Sequence, residues 1–226
     1  MINESILIVV AHPDDEVLGC GGAIAKHCKN GDDVSILFLS DGVGSRDESN
    51  FDEKVLLRQK DAKMACSELG VKNLRFESFP DNRLDHTPVL DIVKIIENEI
   101  SKYKPSLIYT HHSGDVNIDH RCVHNAVVTA CRPQPGFSVK KLLFFETLSS
   151  TEWMPSRSMK TFIPNFFIDI SEYLTIKQKA MSLYESELRV FPHPRSIKSI
   201  EHLASWRGSM IGVNAAEAFE VGRIIV

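Results

Sequence analysis

The chain has few cysteines and no arrangement of them that would build anything. Cys20, Cys28, Cys66, Cys122 and Cys131 are odd in number, widely spread and contain no C-x-x-C pair, which excludes a disulfide framework and a cysteine zinc site. Reduced thiols point to the cytoplasm. Positive charge is also lacking: 26 Lys and Arg face 30 Asp and Glu, for a net −4. Such a balance offers no basic field to nucleic acid or an anionic membrane. No apolar run approaches the roughly 20 residues of a membrane span, and Met1-Ile-Asn-Glu4 has no basic region of the kind that opens an export signal. Repeats and low-complexity segments are absent too.

What remains is a 226-residue chain, 43% hydrophobic and 25% charged, long enough for one sizeable core. Through residue 132, short apolar runs alternate with helical patterns, as βα units do. Strands are predicted at 5–10, 34–40, 74–78 and 106–110, and helices near 16–30, 53–70, 88–103 and 119–131. Val89, Ile92, Val93, Ile96 and Ile100 recur at helical spacing and read as a core-facing stripe. After the breaker Arg132-Pro-Gln-Pro-Gly136, strands at 141–146 and 165–170 and helices near 171–188 and 196–211 are predicted. The expected fold is α/β, a Rossmann-like doubly wound, mostly parallel sheet with helices on both faces. Residues 1–226 are expected to form one domain, with a 1–132 core and a 133–226 extension that completes a cleft.

The chemistry concentrates where the first strand ends, at His12-Pro-Asp-Asp-Glu16, ahead of Gly19-Cys-Gly-Gly22. In an open parallel sheet, ligands bind beyond the carboxyl ends of the strands, where strand order reverses. A catalytic metal of the zinc type takes about three N or O ligands and leaves a position for water. His12, Asp15 and a histidine from the loop after strand four supply that set, and Asp14 stays free to take a proton. Capping explains part of the acidic run, because carboxylates suit a helix start. It explains neither His12 nor three acids together, and leaves helix-start electrostatics to Glu16.

Four histidines compete for the third ligand position: His111, His112, His120 and His124. His120 and His124 share a helix face. His120 lies nearer the sheet edge, Asp119 could orient an imidazole from a second layer, and His124 reads as packed one turn deeper. His27, His86 and His202 each sit alone and read as structural. Pro192-His-Pro194 is expected to hold His193 extended as one wall of a cleft.

A nucleotide-binding reading competes, since Gly19-x-Gly21-Gly22 follows a strand and Asp41 ends the next one. The third glycine position of that fingerprint falls on Ile24, and the acidic run places negative charge where a pyrophosphate would approach. The glycines then read as close helix packing.

Ala11-His-Pro-Asp-Asp-Glu16, Arg58, Pro80-Asp81 and Asn117-Ile-Asp-His120 together resemble the LmbE/PIG-L family of zinc-dependent N-acetylglucosaminyl de-N-acetylases, over nearly the whole chain. The resemblance implies His12, Asp15 and His120 as ligands of Zn2+ (Fe2+ suits the same donor set), Asp14 as general base, and Arg58 and Asp81 as substrate contacts. Many members carry histidine where this chain has Asn117, which can donate a hydrogen bond to an oxyanion but delivers no proton at neutral pH. Asp14 or His193 would then supply that proton. The implied activity is removal of the N-acetyl group from an N-acetylglucosamine-type sugar, nucleotide-linked, glycosidic or free, with acetate and an amino sugar as products. The expected partner is that substrate, with no nucleic acid and no membrane span, and homo-oligomer formation is left open. A sugar- or metal-binding module without turnover is the rival on the same fold, for which Asn117 is the suggestive feature.

Overall fold

The computed structural model describes residues 3–44, 50–155 and 158–226. Met1 and Ile2, the first residues of the stretch read for a leader, lie outside these. The elements in order are β1 (Ser5–Val10), α1 (Asp15–Asn30), β2 (Asp33–Ser40), α2 (Phe51–Leu69), β3 (Asn73–Phe79), a 3-10 turn (Leu84–His86), α3 (Val89–Tyr103), β4 (Leu107–His111), α4 (Ile118–Ala130), β5 (Lys141–Phe145), β6 (Phe166–Asp169), α5 (Leu174–Ser182), α6 (Ile197–Ser209) and β7 (Ala216–Ile224).

One seven-stranded sheet runs β3-β2-β1-β4-β5-β7-β6. The first five strands are parallel, and β7 pairs antiparallel with β5 and β6. This is a Rossmann-like doubly wound α/β sheet. Its order reverses between β1 and β4, so the loops leaving those two strands face one crevice.

The continuous apolar run of β1 follows from burial on both faces. Ile6, Ile8 and Val10 pack with Val17 and Ile24 of α1, Ala62 of α2 and Met181 of α5. Leu7 and Val9 pack on the other side with Ile92 and Ile96 of α3 and Val123 and Val127 of α4. Val89 does not belong to the stripe expected on α3, because it opens the helix ahead of the packed turns and is 50% exposed.

The structure departs from the expected elements twice more. Helix α5 ends at Ser182 rather than near 188, because Tyr184 and Glu187 turn inward to buried partners. Strand β7 has no counterpart among the predicted elements. Its Ala-Glu-Ala-Phe-Glu run hides two buried carboxylates, Glu217 and Glu220, which blur the pattern of a central strand. Among the described residues, no helix is long and apolar enough to cross a membrane.

Helix α1 carries the reading of its glycines into three dimensions. A Cβ on Gly19 would overlap the Phe145 ring, and one on Gly22 would meet Ile170 at 2.7 Å. The helix also kinks at Cys20 (φ −148°, ψ 25°), and side chains satisfy the backbone groups around the kink. Glu217 accepts from the Gly22 and Ala23 N–H groups at 2.9 and 2.7 Å, while Lys177 donates to the Leu18 carbonyl at 3.0 Å and to Glu217 at 2.6 Å.

Candidate metal centre

Val10 ends β1, and the chain turns at once into α1 through Asp14, whose φ of 123° is rare for a side-chain-bearing residue. Two contacts hold that turn: the Asp14 N–H donates to Glu16 Oε2 at 3.0 Å, and its carbonyl accepts from Val17 and Leu18. The Asp14 side chain makes no capping bond, so its carboxylate is left for the crevice. Glu16 faces inward, fully buried, with Oε1 accepting from the Tyr184 hydroxyl at 2.6 Å. Burial pushes its carboxyl up to about 8, against the Tyr184 hydroxyl and the Asp14 amide. It therefore buttresses the turn from inside, a correction to the expected helix-start role.

His12, Asp15 and His120 meet in one buried cluster. His12 Nδ1 lies 3.2 Å from Asp15 Oδ2 and 3.3 Å from His120 Nε2, and His120 Nε2 lies 3.3 Å from Asp15 Oδ2. The far nitrogens are turned outward to carboxylates: His12 Nε2 to Asp81 at 3.0 Å and Asp119 at 3.1 Å, and His120 Nδ1 to Asp115 at 3.1 Å. A carboxylate on one imidazole nitrogen fixes the proton there and aims the other lone pair at a metal. Asp119 thus serves His12, while Asp115 stands beside His120 Nδ1 as its neighbouring charge. Asp119 is itself fixed by the Asn82 and Leu84 N–H groups, at 2.7 and 2.9 Å.

The other histidines of the β4 region are engaged elsewhere. His111 Nε2 accepts from the Ala11 N–H at 3.0 Å, which leaves it neutral, and burial with the neighbouring His120 holds its pKa well below the usual range. His112 has both nitrogens occupied, by Glu220 at 2.7 Å and the Lys160 carbonyl at 2.8 Å. His124 contacts the His111 carbonyl at 2.8 Å.

The donor set fits a divalent cation. His12, Asp15 and His120 each offer one ligand atom within 4.8 Å of the others, two imidazole nitrogens and one carboxylate oxygen. Asp15 Oδ1 is buried without a hydrogen-bond partner, an arrangement proteins avoid unless something else satisfies it. The electrostatics favour a cation as well. Burial opposes charge on His120, yet Asp15 and Asp115 raise it to about 9, and Asp119, Asp15 and Asp81 raise His12 well above its usual value against the same burial. Asp81 and Asp119 with His12 form a second metal-capable group, on the opposite nitrogen of the same imidazole.

Around this cluster lies a polar cleft of about 90 Å³, lined by His12, Asp14, Arg58, Asp81, Asn117 and Arg195, among others. Arg58 is 3% exposed and not a solvated helix residue. It donates to the Pro13 carbonyl at 3.1 Å and pairs with Glu187. Asp14 Oδ2 meets Arg195 Nη1 at 3.0 Å and Arg58 Nη1 at 3.8 Å. Burial raises the Asp14 carboxyl to about 6, with Arg195 and Arg58 pulling the other way. Asn117 caps α4, its Oδ1 accepting from the Asp119 N–H at 2.8 Å, which leaves the amide Nδ2, a pure donor, for the cleft.

His193 does not line this cleft. Its segment is a series of turns rather than an extended strand, with a cis Phe191-Pro192 bond, and those turns bring Arg195 inward instead. His193 Nδ1 accepts from the Arg195 N–H at 3.0 Å. Arg195, Glu187 and Asp115 are site residues that the sequence reading passed over. Arg195 directly follows Pro192-His-Pro194 and Asp115 stands two residues ahead of Asn117, so both border runs that the sequence singles out, whereas Glu187 fell within a predicted helix and carried no signal. Asp41 is spent on its own turn, accepting from the Val43 and Gly44 N–H groups, which removes the nucleotide reading's acidic residue. A larger cavity of about 650 Å³ lies at the opposite strand ends and includes His27, whose nitrogens are taken by Asp32 and Tyr109.

The family described as PIG-L, GlcNAc-PI de-N-acetylase, matches residues 7–131. An uncharacterized deacetylase, YaiS, of Escherichia coli K12 is 29% identical over 189 residues, covering 81% of this chain and 91% of its own. The diacetylchitobiose deacetylase of Thermococcus kodakarensis is 28% identical over 191 residues, covering 81% and 70%. Among solved structures, N,N'-diacetylchitobiose deacetylase of Pyrococcus horikoshii superposes with a TM-score of 0.80 at 22% identity, covering 98% of this chain and 85% of that one. The 4-carboxy-2-hydroxymuconate hydratase of Pseudomonas putida KT2440 reaches 0.78 at 20% identity, covering 99% and 98%. At such identities the superpositions establish the architecture, and function has to be argued from the site.

Proposed function

Because the chain belongs to the PIG-L family of GlcNAc-PI de-N-acetylases, we propose that it is a metal-dependent hydrolase that removes the N-acetyl group from an N-acetylglucosamine-type sugar. Acetate and a free amino sugar would be the products. The observation that carries this reading is the pairing of a buried His12-Asp15-His120 donor set with a carboxylate, Asp14, that is uncommitted to capping and faces the same cleft.

His12, Asp15 and His120 would hold Zn2+, with Fe2+ compatible with the same donors. A bound divalent ion supplies Lewis acidity, lowering the pKa of water and polarising an amide carbonyl. Asp14 accepts the proton of the attacking water on a carboxylate oxygen as the new C–O bond forms, and returns it to the nitrogen as the C–N bond breaks. Arg195 and Arg58 steady that carboxylate. Asn117 Nδ2 donates to the developing oxyanion, and because it cannot deliver a proton, both transfers fall to Asp14. Asp81 and Arg58 would contact the sugar. Residues 133–226 complete the cleft of the same domain by supplying Glu187 and Arg195.

The test is a screen of free, nucleotide-linked and glycosidic N-acetyl sugars for acetate release, with metal analysis of the same sample. Asp14→Asn should keep bound metal and lose about 10²- to 10⁴-fold in turnover, whereas His120→Ala should lose both. Full turnover by Asp14→Asn would remove the assigned base. Metal or sugar binding without acetate release would favour a non-catalytic module, and the absence of both bound metal and acetate release would overturn the reading.

A further inference from the structure

Two carboxylates and two guanidinium groups line the cleft together: Asp14 and Glu187, Arg58 and Arg195. Asp14, Glu187 and Arg58 are each no more than 3% exposed, and charges buried to that degree have to be matched by one another. A guanidinium pairs best with a carboxylate as a fork, two N–H groups on two oxygens. Were Asp14 the one carboxylate in reach, that geometry would occupy both of its oxygens and leave neither to take a proton from water.

The contacts observed are different. Arg195 Nη1 meets Asp14 Oδ2 at 3.0 Å, and Arg58 Nη1 stands 3.8 Å from the same oxygen. Among the described residues, Asp14 Oδ1 accepts no hydrogen bond. Glu187, in the turns between α5 and α6, draws both guanidinium groups aside. Its Oε2 accepts from the same Arg195 Nη1 at 2.8 Å, and its Oε1 accepts from Arg58 Nη2. Other acceptors hold the remaining donors in that position: the Pro13 and Gly42 carbonyls take Arg58 Nη1 and Nη2 at 3.1 and 3.3 Å, and Ser149 Oγ takes Arg195 Nε at 2.7 Å. One nitrogen of Arg195 is thus divided between two carboxylates, and Asp14 is held by a single oxygen.

We infer that Glu187 is a positioning residue of the reaction: it competes with Asp14 for Arg195 and Arg58, so that Asp14 is steadied through Oδ2 while Oδ1 stays open to accept the water proton. The inference rests on the deacetylase reading above and assigns the proton transfer to one oxygen of the base. Glu187 acts through the arginines.

Glu187→Gln keeps the shape of the side chain and removes its charge. Its kcat should fall roughly 10- to 100-fold with KM within about 2-fold of the parent, the pattern of an interaction felt in the transition state alone. Adding Arg195→Gln should then raise kcat by roughly 5-fold or more over Glu187→Gln, because the fork that closed on Asp14 is gone. A glutamate that only supported the fold would leave the double variant at or below the single one. Glu187→Asp, which keeps the charge but withdraws it by one methylene, should lose less. If Glu187→Gln does not fold, Glu187→Asp carries the same comparison, with Arg195→Gln again raising kcat. Crystal structures of the parent and Glu187→Gln supply a readout free of turnover: guanidinium N–H groups should bond both oxygens of Asp14 in the variant and one in the parent. An undiminished kcat overturns the inference, as does a loss that Arg195→Gln does not relieve, or an Oδ1 still open in the variant. If no sugar releases acetate from the parent, the hydrolase reading fails, and the two crystal structures still decide whether Glu187 keeps Oδ1 open.

Discussion

Asp14 is the residue on which activity and local strain meet. Its φ of 123° belongs to a sparsely populated region that costs on the order of 1–3 kcal/mol, and Glu16 and the helix start hold it there. With burial raising the Asp14 carboxyl to about 6 against Arg195 and Arg58, the proposed base is half-ionised there and loses its charge as pH falls further. We expect kcat/KM to fall on the acid side with an apparent pKa near 6. Arg195→Gln removes a charge that favours the carboxylate, so the acid limb should move to higher pH, by about one unit. A pH profile of both proteins checks it, and an unmoved limb would take Arg195 out of contact with the base. The roles within His12-Pro-Asp-Asp-Glu16 were partly legible in the chain: a histidine and surplus acids at a strand end have few structural uses. That Glu16 turns inward was not, because nothing local distinguishes it from its neighbours. Tyr184, which receives it, lies far along the chain.

At the scale of elements, β7 decides two matters. Glu217 offsets the kink of α1 by accepting from two freed amides, and Lys177 neutralises it. Glu217→Ala leaves a buried lysine unpaired and both amides unsatisfied, so a loss of about 3–5 kcal/mol is expected in urea unfolding. A change below about 1 kcal/mol would show that the kink is held by packing alone. Three residues on, Glu220 fastens His112 at 2.7 Å and the Ile163 N–H at 2.8 Å. Burial pushes its carboxyl up, but the His112 and Ile163 hydrogen bonds win and hold it below its ordinary value of 4.5. A carboxyl lowered on folding stabilises above its unfolded pKa and ceases to as pH falls through its folded one. Glu220→Gln should therefore flatten the loss of stability below about pH 4.5, measured by unfolding across that range. The βα units were legible because apolar runs and helical periods are local signals. Strand β7 escaped because its inward carboxylates are matched by groups from elsewhere in the chain, Lys177 and two α1 amides for Glu217, His112 and the Ile163 N–H for Glu220.

For the whole molecule, the proposed metal site joins the end of β1 to the start of α4, two segments brought together by the sheet order. An ion bound there stabilises the folded chain by mass action, about 2.7 kcal/mol at a hundredfold excess over Kd. For a chain of this size that raises the melting temperature by roughly 5–10 °C. A chelator should reverse the gain, and His120→Ala should show neither gain nor reversal. A gain persisting in His120→Ala would place the ion elsewhere, with the Asp81-Asp119 group as the first alternative.

The chain by itself determined the α/β class, the order of its first four strands and helices, and the position of the chemistry at the first strand's carboxyl end. Those follow from apolar period and residue type, which act over a few residues. The chain also singled out His120 among four histidines, and only tertiary structure supplies the reason the other three are engaged elsewhere: Ala11 on His111, Glu220 and Lys160 on His112, and the His111 carbonyl on His124. Tertiary structure also replaced His193 by Arg195 in the cleft and gave Asp119 to His12. Hydrogen-bond partners distant in sequence settle these roles, and no local pattern records them.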